Sequence, residues 1–212
     1  MAGTGIRAMK LNLGCGDVSP SGWVNVDFAA GARLRKLPVV GALSRRFLRC
    51  GWDRSIFLHD LRSTFPWPSG SVDYIYSSHS LEHLTRAAGE HFMREAARVL
   101  RVGGVARVVV PDLKLQVERY VAGKTDARDF LSALHAVDTH DRSIAKRIYA
   151  LLSGSGHRCM YDEASLAGLM AAAGLTPRRR APFDSSIPAI EEIERAPQTA
   201  EALIIEGVKP PE

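Results

Sequence analysis

The chain reads as an α/β protein built on a mainly parallel sheet, and three observations say so. Seven short apolar runs alternate with stretches of helical period, the pattern of strands joined by crossover helices. A glycine-rich turn, LNLGCGD (11–17), directly follows the first of these runs. The run VARVVV (105–110) is so β-branched that it suits a strand buried on both faces.

The elements follow in order. Met9, Leu11 and Leu13 alternate as a first strand would, Trp23–Val26 is a second and Ile56–Leu58 a third. VDYIY (72–76) is the fourth strand and Val105–Val110 the fifth. Between those two, Ala88, Phe92, Ala96 and Leu100 fall four apart, with Met93 and Val99 widening the stripe of one helix. Gly103-Gly104 is expected to end that helix, since glycine accepts the left-handed cap conformation. After Pro111 the period is helical again: Leu113, Val117, Tyr120 and Val121, then Phe130, Leu131 and Leu134, then Ile144, Ile148 and Leu151, a helical insertion over 113–153. Asp162 is a good N-cap for a further helix carrying Leu166, Leu169, Met170 and Ala173, closed by Gly174. Leu175–Arg180 and Ala202–Val208 read as two last strands. In such a sheet, ligands sit beyond the C-terminal ends of the strands.

Composition sets the bounds. The 212 residues suit a single domain over 1–212, with 46% apolar and 24% charged residues, ordinary for a soluble globular chain. No apolar run approaches the ~20 residues of a membrane span, and the N-terminus MAGTGIRAMK lacks the apolar stretch of a secretory signal. Cys15, Cys50 and Cys159 form an odd, sparse set without a CxxC, which fits a reducing compartment such as the cytoplasm and gives no zinc ribbon. The net charge of +5 comes from 28 Lys+Arg against 23 Asp+Glu, and the basic residues are mostly arginine.

The glycine turn carries the first chemistry. Gly14 and Gly16 let the backbone turn tightly and approach a ligand. The second strand ends in VNVD, where Asp27 can accept both hydroxyls of a ribose. A dinucleotide fingerprint needs a third glycine or alanine where Ser19 stands, and an acid about 20 residues on; Asp27 comes too soon, and no Walker sequence is present, so NAD and ATP both fit poorly. The third strand ends in FLHDL. Asp60 there can accept the exocyclic amine of adenine, and the Leu61 amide can meet a ring nitrogen.

These residues resemble those of the class I S-adenosylmethionine-dependent methyltransferases, the type 11 group above all. The likeness rests on KLNLGCGDVSPSGWVNVDF (10–28), FLHDLRSTFPWPSGSVDYIYSSHSLEHL (57–84) and EAARVLRVGGVARVVVPDL (95–113). GHRCMYDEASLAGLMAAAGL (156–175) is similar to a subgroup associated with bacterial surface-glycan pathways. The resemblance implies a Rossmann-like seven-stranded sheet whose last strand is antiparallel, with S-adenosylmethionine as cofactor. It implies a cofactor-binding set of Asn12, Gly14, Cys15, Gly16, Asp27, Asp60, Leu61, Ser78 and His79. Gly14 and Gly16 would pass under the methionine portion, Asp27 would take the ribose and Asp60 with Leu61 the adenine; Ser78 and His79 would lie beside the methyl donor.

Methyl transfer depends on aligning nucleophile and methyl group, and an oxygen or amine acceptor must lose a proton, for which histidine is the natural base. The candidates for catalysis are His79 after the fourth strand, Asp112 after the fifth, and His157 ahead of the last helix; His135 and His140 in the insertion read as solvated. HSLEH (79–83) also spells the H-x-x-E-H motif of an inverted zinc peptidase, but it follows a strand immediately, so no metal is expected. Segment 29–55 interleaves Arg33, Arg35, Lys36, Arg45, Arg46 and Arg49 with apolar residues, a basic amphipathic insertion able to meet an anionic acceptor or a membrane surface. The expected acceptor is a small molecule or a glycan-linked group, in surface polysaccharide biosynthesis; methylation of RNA is the second reading, although the Arg178–Arg180 run lacks the interleaved aromatics of a nucleic-acid face. A non-catalytic module that keeps the cofactor fold is the third.

Overall fold

The apolar residues Leu11 and Leu13 of Lys10–Leu13 (β1) are buried, and this short strand lies inside a seven-stranded sheet, third from one edge. The computed structural model describes residues 8–36, 53–134 and 156–211. The other strands are β2 (Val24–Asp27), β3 (Phe57–Leu58), β4 (Val72–Ser78), β5 (Leu100–Pro111), β6 (Thr176–Arg179) and β7 (Ala202–Val208). They lie in the order β3-β2-β1-β4-β5-β7-β6. β1 pairs in parallel with β2 and β4, β2 with β3 and β4 with β5, whereas β7 runs antiparallel to both β5 and β6. The expected mainly parallel sheet with an antiparallel last strand is therefore present. The register Leu13↔Val26 brings the ends of β1 and β2 together, so Gly14 and Asp27 sit side by side at the strand tips.

Period-two alternation in β5 explains both layers of core. Ala106, Val108 and Val110 pack with Leu11, Leu13, Phe92, Met93, Leu166 and Met170 on one face. Val105 and Val109 pack on the other with Trp23, Tyr76, Ile187, Ile190, Ile193 and Ile204. The first layer is covered by α2 (Arg86–Val99) and α5 (Glu163–Ala172). The short α1 (Ala30–Arg35) follows β2. Thr85 caps α2 by accepting the Ala88 amide, and Asp162 caps α5 in a reciprocal box with Ser165. The link from β1 to β2 holds turns and no helix, as its length requires.

Gly103-Gly104 does not end α2, contrary to the sequence expectation. The helix stops at Val99, Leu100 is already extended, and both glycines lie inside β5. Pairing with β4 slips there, from Val72↔Leu100 to Tyr74↔Val105. Gly103 has φ +75°, and a Cβ on Gly104 would stand 2.8 Å from the Arg101 carbonyl and 3.0 Å from that of Asp73. The glycines serve a bulge where two backbones approach closely.

The helical insertion begins as expected with α3 (Leu113–Val121) and α4 (Ala127–Ala133), whose Tyr120 and Phe130 rings stack at 4.8 Å. Its remainder, with His135 and His140, lies outside the described residues, as do 37–52 of the basic insertion with Arg45, Arg46 and Arg49 and the peptide of Cys50. Among the described residues no helix is long and apolar enough to cross a membrane.

One buried feature escaped the sequence reading. Arg107, in the middle of β5, is fully buried and uses all five of its N–H donors. Nε and Nη2 meet the Glu194 carboxylate at 2.9 Å each, Nη1 reaches Glu206 at 3.0 Å and the Asp184 carbonyl at 2.8 Å, and Nη2 also reaches the Ala181 carbonyl at 3.1 Å. This arginine pins 181–194 to the sheet, just ahead of α6 (Ala196–Thr199).

Candidate functional site

The strand tips build a cleft of about 500 Å³, within the size range of small-molecule sites. At its β1 side the Gly14 and Cys15 amides both donate to the Val26 carbonyl, at 2.9 and 3.0 Å. Gly14 has φ +73°, and a Cβ there would overlap the Ser80 hydroxyl at 1.9 Å; Gly16 has φ +55° and faces open space. Asp27 is buried, and its carboxylate is set by two amides, Gly16 to Oδ2 at 2.8 Å and Ala29 to Oδ1 at 2.7 Å. Each oxygen keeps a second lone pair, and Asp27 lines the cleft together with Gly14, Gly16, Asp60 and Leu61. The Asp60 carboxylate is forked by Arg62, Nε to Oδ1 at 2.9 Å and Nη2 to Oδ2 at 2.6 Å, and this arginine holds its pKa below the usual range.

Two residues expected at the cofactor act from behind the loop. Asn12 is buried and donates to the Val18 carbonyl at 2.8 Å and to Asn25 Oδ1 at 3.0 Å, bracing the turn. The Cys15 side chain packs against Ala32 and Ile56, and burial, with the Asp27 charge, pushes its thiol up to about 12. Neither side chain lines the cleft.

At the β4 side, His79 takes φ +51°, a left-handed conformation unusual for a non-glycine residue. Its Nδ1 lies 3.2 Å from Glu82 Oε1 and its Nε2 2.8 Å from the Gln198 carbonyl. A carbonyl only accepts, so Nε2 carries a proton, and a carboxylate on Nδ1 favours a second. Burial lowers the His79 pKa, but the Glu82 and Gln198 hydrogen bonds outweigh it and the net shift is upward. In this geometry neither nitrogen offers a lone pair to an acceptor. Ser80, rather than Ser78, lines the cleft, with its hydroxyl 3.2 Å from the Gly14 carbonyl.

Asp112 is the N-cap of α3, accepting the Leu115 amide at 3.3 Å, with Arg179 3.6 Å from its other oxygen, and it does not line the cleft. His157 does lie near the site. The Arg158 and Cys159 amides donate to the Glu82 carbonyl at 2.8 and 3.1 Å, which docks strap 156–159 over the 3₁₀ turn Leu81–His83. His83 Nδ1 meets the Gly156 carbonyl at 3.1 Å, and the His83 and His157 rings are 5.3 Å apart. HSLEH therefore forms no two-histidine helix face, because His79 directly follows β4 and the turn holds only three residues. Ser80, Arg62 and Arg158 line the cleft without having been picked from the sequence; only Ser80, beside the expected Ser78, carried a signal. A second groove of about 560 Å³, between α2 and α5, contains none of the expected residues.

The sheet order, the glycine turn after β1 and the acid at the tip of β2 are those of the Rossmann-like fold of class I S-adenosylmethionine-dependent methyltransferases. Residues 11–108 match the family model described as a methyltransferase domain. A 97-residue stretch is 31% identical to 27-O-demethylrifamycin SV methyltransferase of Amycolatopsis mediterranei (strain S699), covering 44% of this chain and 35% of that protein. The match thus spans about a third of that relative's length. The fold is similar to that of the YcgJ protein of Bacillus subtilis, at TM-score 0.53 and 15% identity over 97% of this chain and 93% of that one. It is similar also to the citrinin polyketide synthase CMeT domain, at TM-score 0.51 and 12% identity over 99% of this chain and 48% of the other. The residues present fit S-adenosylmethionine: an amide-set carboxylate for ribose hydroxyls, an open glycine at Gly16 and a cleft of suitable size.

Proposed function

We propose that the chain transfers a methyl group from S-adenosylmethionine to an oxygen or nitrogen of a small-molecule or glycan-linked acceptor. The observation that carries this reading is Asp27, buried at a strand tip, with its carboxylate fixed by the Gly16 and Ala29 amides. That carboxylate accepts the ribose hydroxyls, Asp60 and Leu61 meet the adenine, and Gly14 and Gly16 leave room for the methionine portion. Bound there, the cofactor supplies an electrophilic methyl group. The chain's part is to hold the acceptor in line with it.

The acceptor enters from the side of His83, His157 and Arg158. His79 is a positioning residue that ties Glu82 to the Gln198 carbonyl, and Asp112 is a cap that sets α3 at the rim. Support for a small-molecule acceptor comes from the rifamycin methyltransferase relative. Support for a glycan-linked acceptor comes from stretch 156–175, the segment that docks on Glu82 and His83. The exposed Arg158 at the cleft favours an anionic acceptor, as does the basic segment 29–55, which on this reading meets that acceptor or an anionic membrane surface. The reaction then belongs to the cytoplasm, on a precursor of surface polysaccharide.

Calorimetry tests the core of this. S-adenosylhomocysteine should bind the full chain, NAD should not bind comparably, and Asp27→Ala should weaken the binding. Folded protein that binds no S-adenosylhomocysteine would overturn the reading.

A further inference from the structure

We propose that Glu82, His83 and His157 form a site for one divalent transition-metal ion at the acceptor end of the cleft. The sequence expectation was no metal, because HSLEH follows a strand. The fold dissolves that motif and assembles a different set, taking two of its residues and adding His157 from 74 positions downstream of His83. One donor atom from each of the three lies within 4.8 Å of the other two.

A second observation points to a ligand. Glu82 is 1% exposed, and its Oε2 has no hydrogen-bond partner. A buried carboxylate oxygen left without a donor is costly, about 1–3 kcal/mol and more for a charged group. A cation between the three residues satisfies it. The surroundings already resemble the outer sphere of a metal site. His83 Nδ1 lies 3.1 Å from the Gly156 carbonyl, which makes Nδ1 the protonated nitrogen and leaves Nε2 with the ligating lone pair. His79 Nδ1 holds Glu82 Oε1 at 3.2 Å and so orients the carboxylate. The Arg158 and Cys159 amides, bonded to the Glu82 carbonyl, fix the strap that brings His157 to His83.

Two imidazoles and one carboxylate suit zinc and its first-row neighbours rather than calcium or magnesium. Three protein ligands leave a coordination position open, and His83 lines the cleft, so that position faces the acceptor. The role of the ion rests on the methyl-transfer reading; its presence does not. An acceptor hydroxyl bound there is acidified and gives its proton to solvent. The O–C bond to the methyl group forms as the C–S bond of the donor breaks, its electron pair remaining on sulfur.

The test is zinc uptake by the full chain, stripped with a chelator and then titrated with Zn²⁺ against a chromogenic competitor, with bound metal counted by mass spectrometry. One Zn²⁺ per chain is expected at submicromolar affinity, weakened at least tenfold in His157→Ala and in Glu82→Gln. His157 is partly exposed, so its variant should keep its melting temperature and serves even if the buried Glu82 variant fails to fold. Co²⁺ in the same site should give visible d–d absorption that is lost in His157→Ala. No stoichiometric uptake, or uptake that His157→Ala leaves unchanged, overturns the proposal. S-adenosylhomocysteine calorimetry on the same samples separates the outcomes: zinc without S-adenosylhomocysteine binding refutes methyl transfer and keeps the metal, and the reverse does the opposite.

Discussion

Under β1, β2 and β3 the carboxylates of the cleft are already held. Asp27 takes two backbone amides and Asp60 takes the fork of Arg62. Beyond β4 the polar groups are crowded and incompletely matched: His79 is in a left-handed conformation, Glu82 has one buried oxygen without a donor, and His83 and His157 face each other. The first half is preorganised by donors from nearby in sequence, and on the proposed reading it is the cofactor receptor. The second is assembled from three distant segments, 79–83, 156–159 and the short helix α6 bearing Gln198, and on the proposed reading it is the half that meets the acceptor. A common ligand can be met by local turns; a particular acceptor needs groups gathered by the tertiary fold.

The largest expected effect tests how the second half is supported. Arg107→Ala leaves the buried Glu194 without its ion pair and Glu206 with Arg180 as its remaining cation, which should cost about 3–5 kcal/mol and lower the melting temperature by roughly 10 °C. A scanning calorimeter shows this directly, and a shift near zero would mean that the 181–194 segment is held by packing alone. Next, Asp27→Ala removes both charge-assisted amide bonds and the proposed ribose acceptor, and should weaken S-adenosylhomocysteine about 100-fold by titration calorimetry. A change under fivefold would remove the first half's claim to be the receptor.

Gly14→Ala should destabilise by about 1–3 kcal/mol in chemical denaturation, because the site combines a positive φ with direct overlap of the Ser80 hydroxyl. It should also weaken the cofactor analogue, since the two halves touch there.

A smaller effect concerns the loop after β3. Glu95 accepts the Phe65 amide at 2.7 Å and the fork of Arg98. The Arg98 hydrogen bonds, against burial and with help from the Phe65 amide, hold its carboxyl at about 2, below the ordinary 4.5. The unfolded chain therefore binds the proton first, so this stabilisation is complete above pH 4.5 and is lost as the pH falls from there toward 2. Glu95→Gln should cost about 1–2 kcal/mol at pH 7 and flatten the stability curve below pH 4.5. An unchanged acid limb would contradict the ion pair. The smallest effect is expected for His79→Ala. Its ring nitrogens are engaged by Glu82 and Gln198, so S-adenosylhomocysteine affinity should change by no more than about threefold, under 1 kcal/mol. A loss matching that of Asp27→Ala would move His79 into the receptor half.

The legible parts of the site share a cause. Gly14, Gly16, Asp27, Asp60 and Leu61 lie at strand tips, and strand tips can be read from alternation and turn residues alone. Asn12 and Cys15 sit in the same stretch, but β1 is buried on both faces and the turn after it packs Cys15 inward, so both side chains point into the protein. Asp112 was a candidate for catalysis from its place after the fifth strand; the structure makes it the N-cap of α3, with Arg179 beside its other oxygen. Arg107 was hidden inside VARVVV, where its neighbours announce a core strand and nothing announces the two carboxylates, 87 and 99 residues away, that neutralise it.

By itself the sequence determined the strands, the helices they alternate with, the glycine turn and the acid at the tip of the second strand. Each depends on a period or on a residue's own conformational preference, which is local. Only the tertiary structure decided that His79 is tied at both nitrogens, that the two glycines of 103–104 serve a bulge, and that His157 stands beside His83 and Glu82. Those outcomes depend on which distant backbone carbonyls and carboxylates the sheet order brings within hydrogen-bond reach, and no local pattern in the chain encodes that.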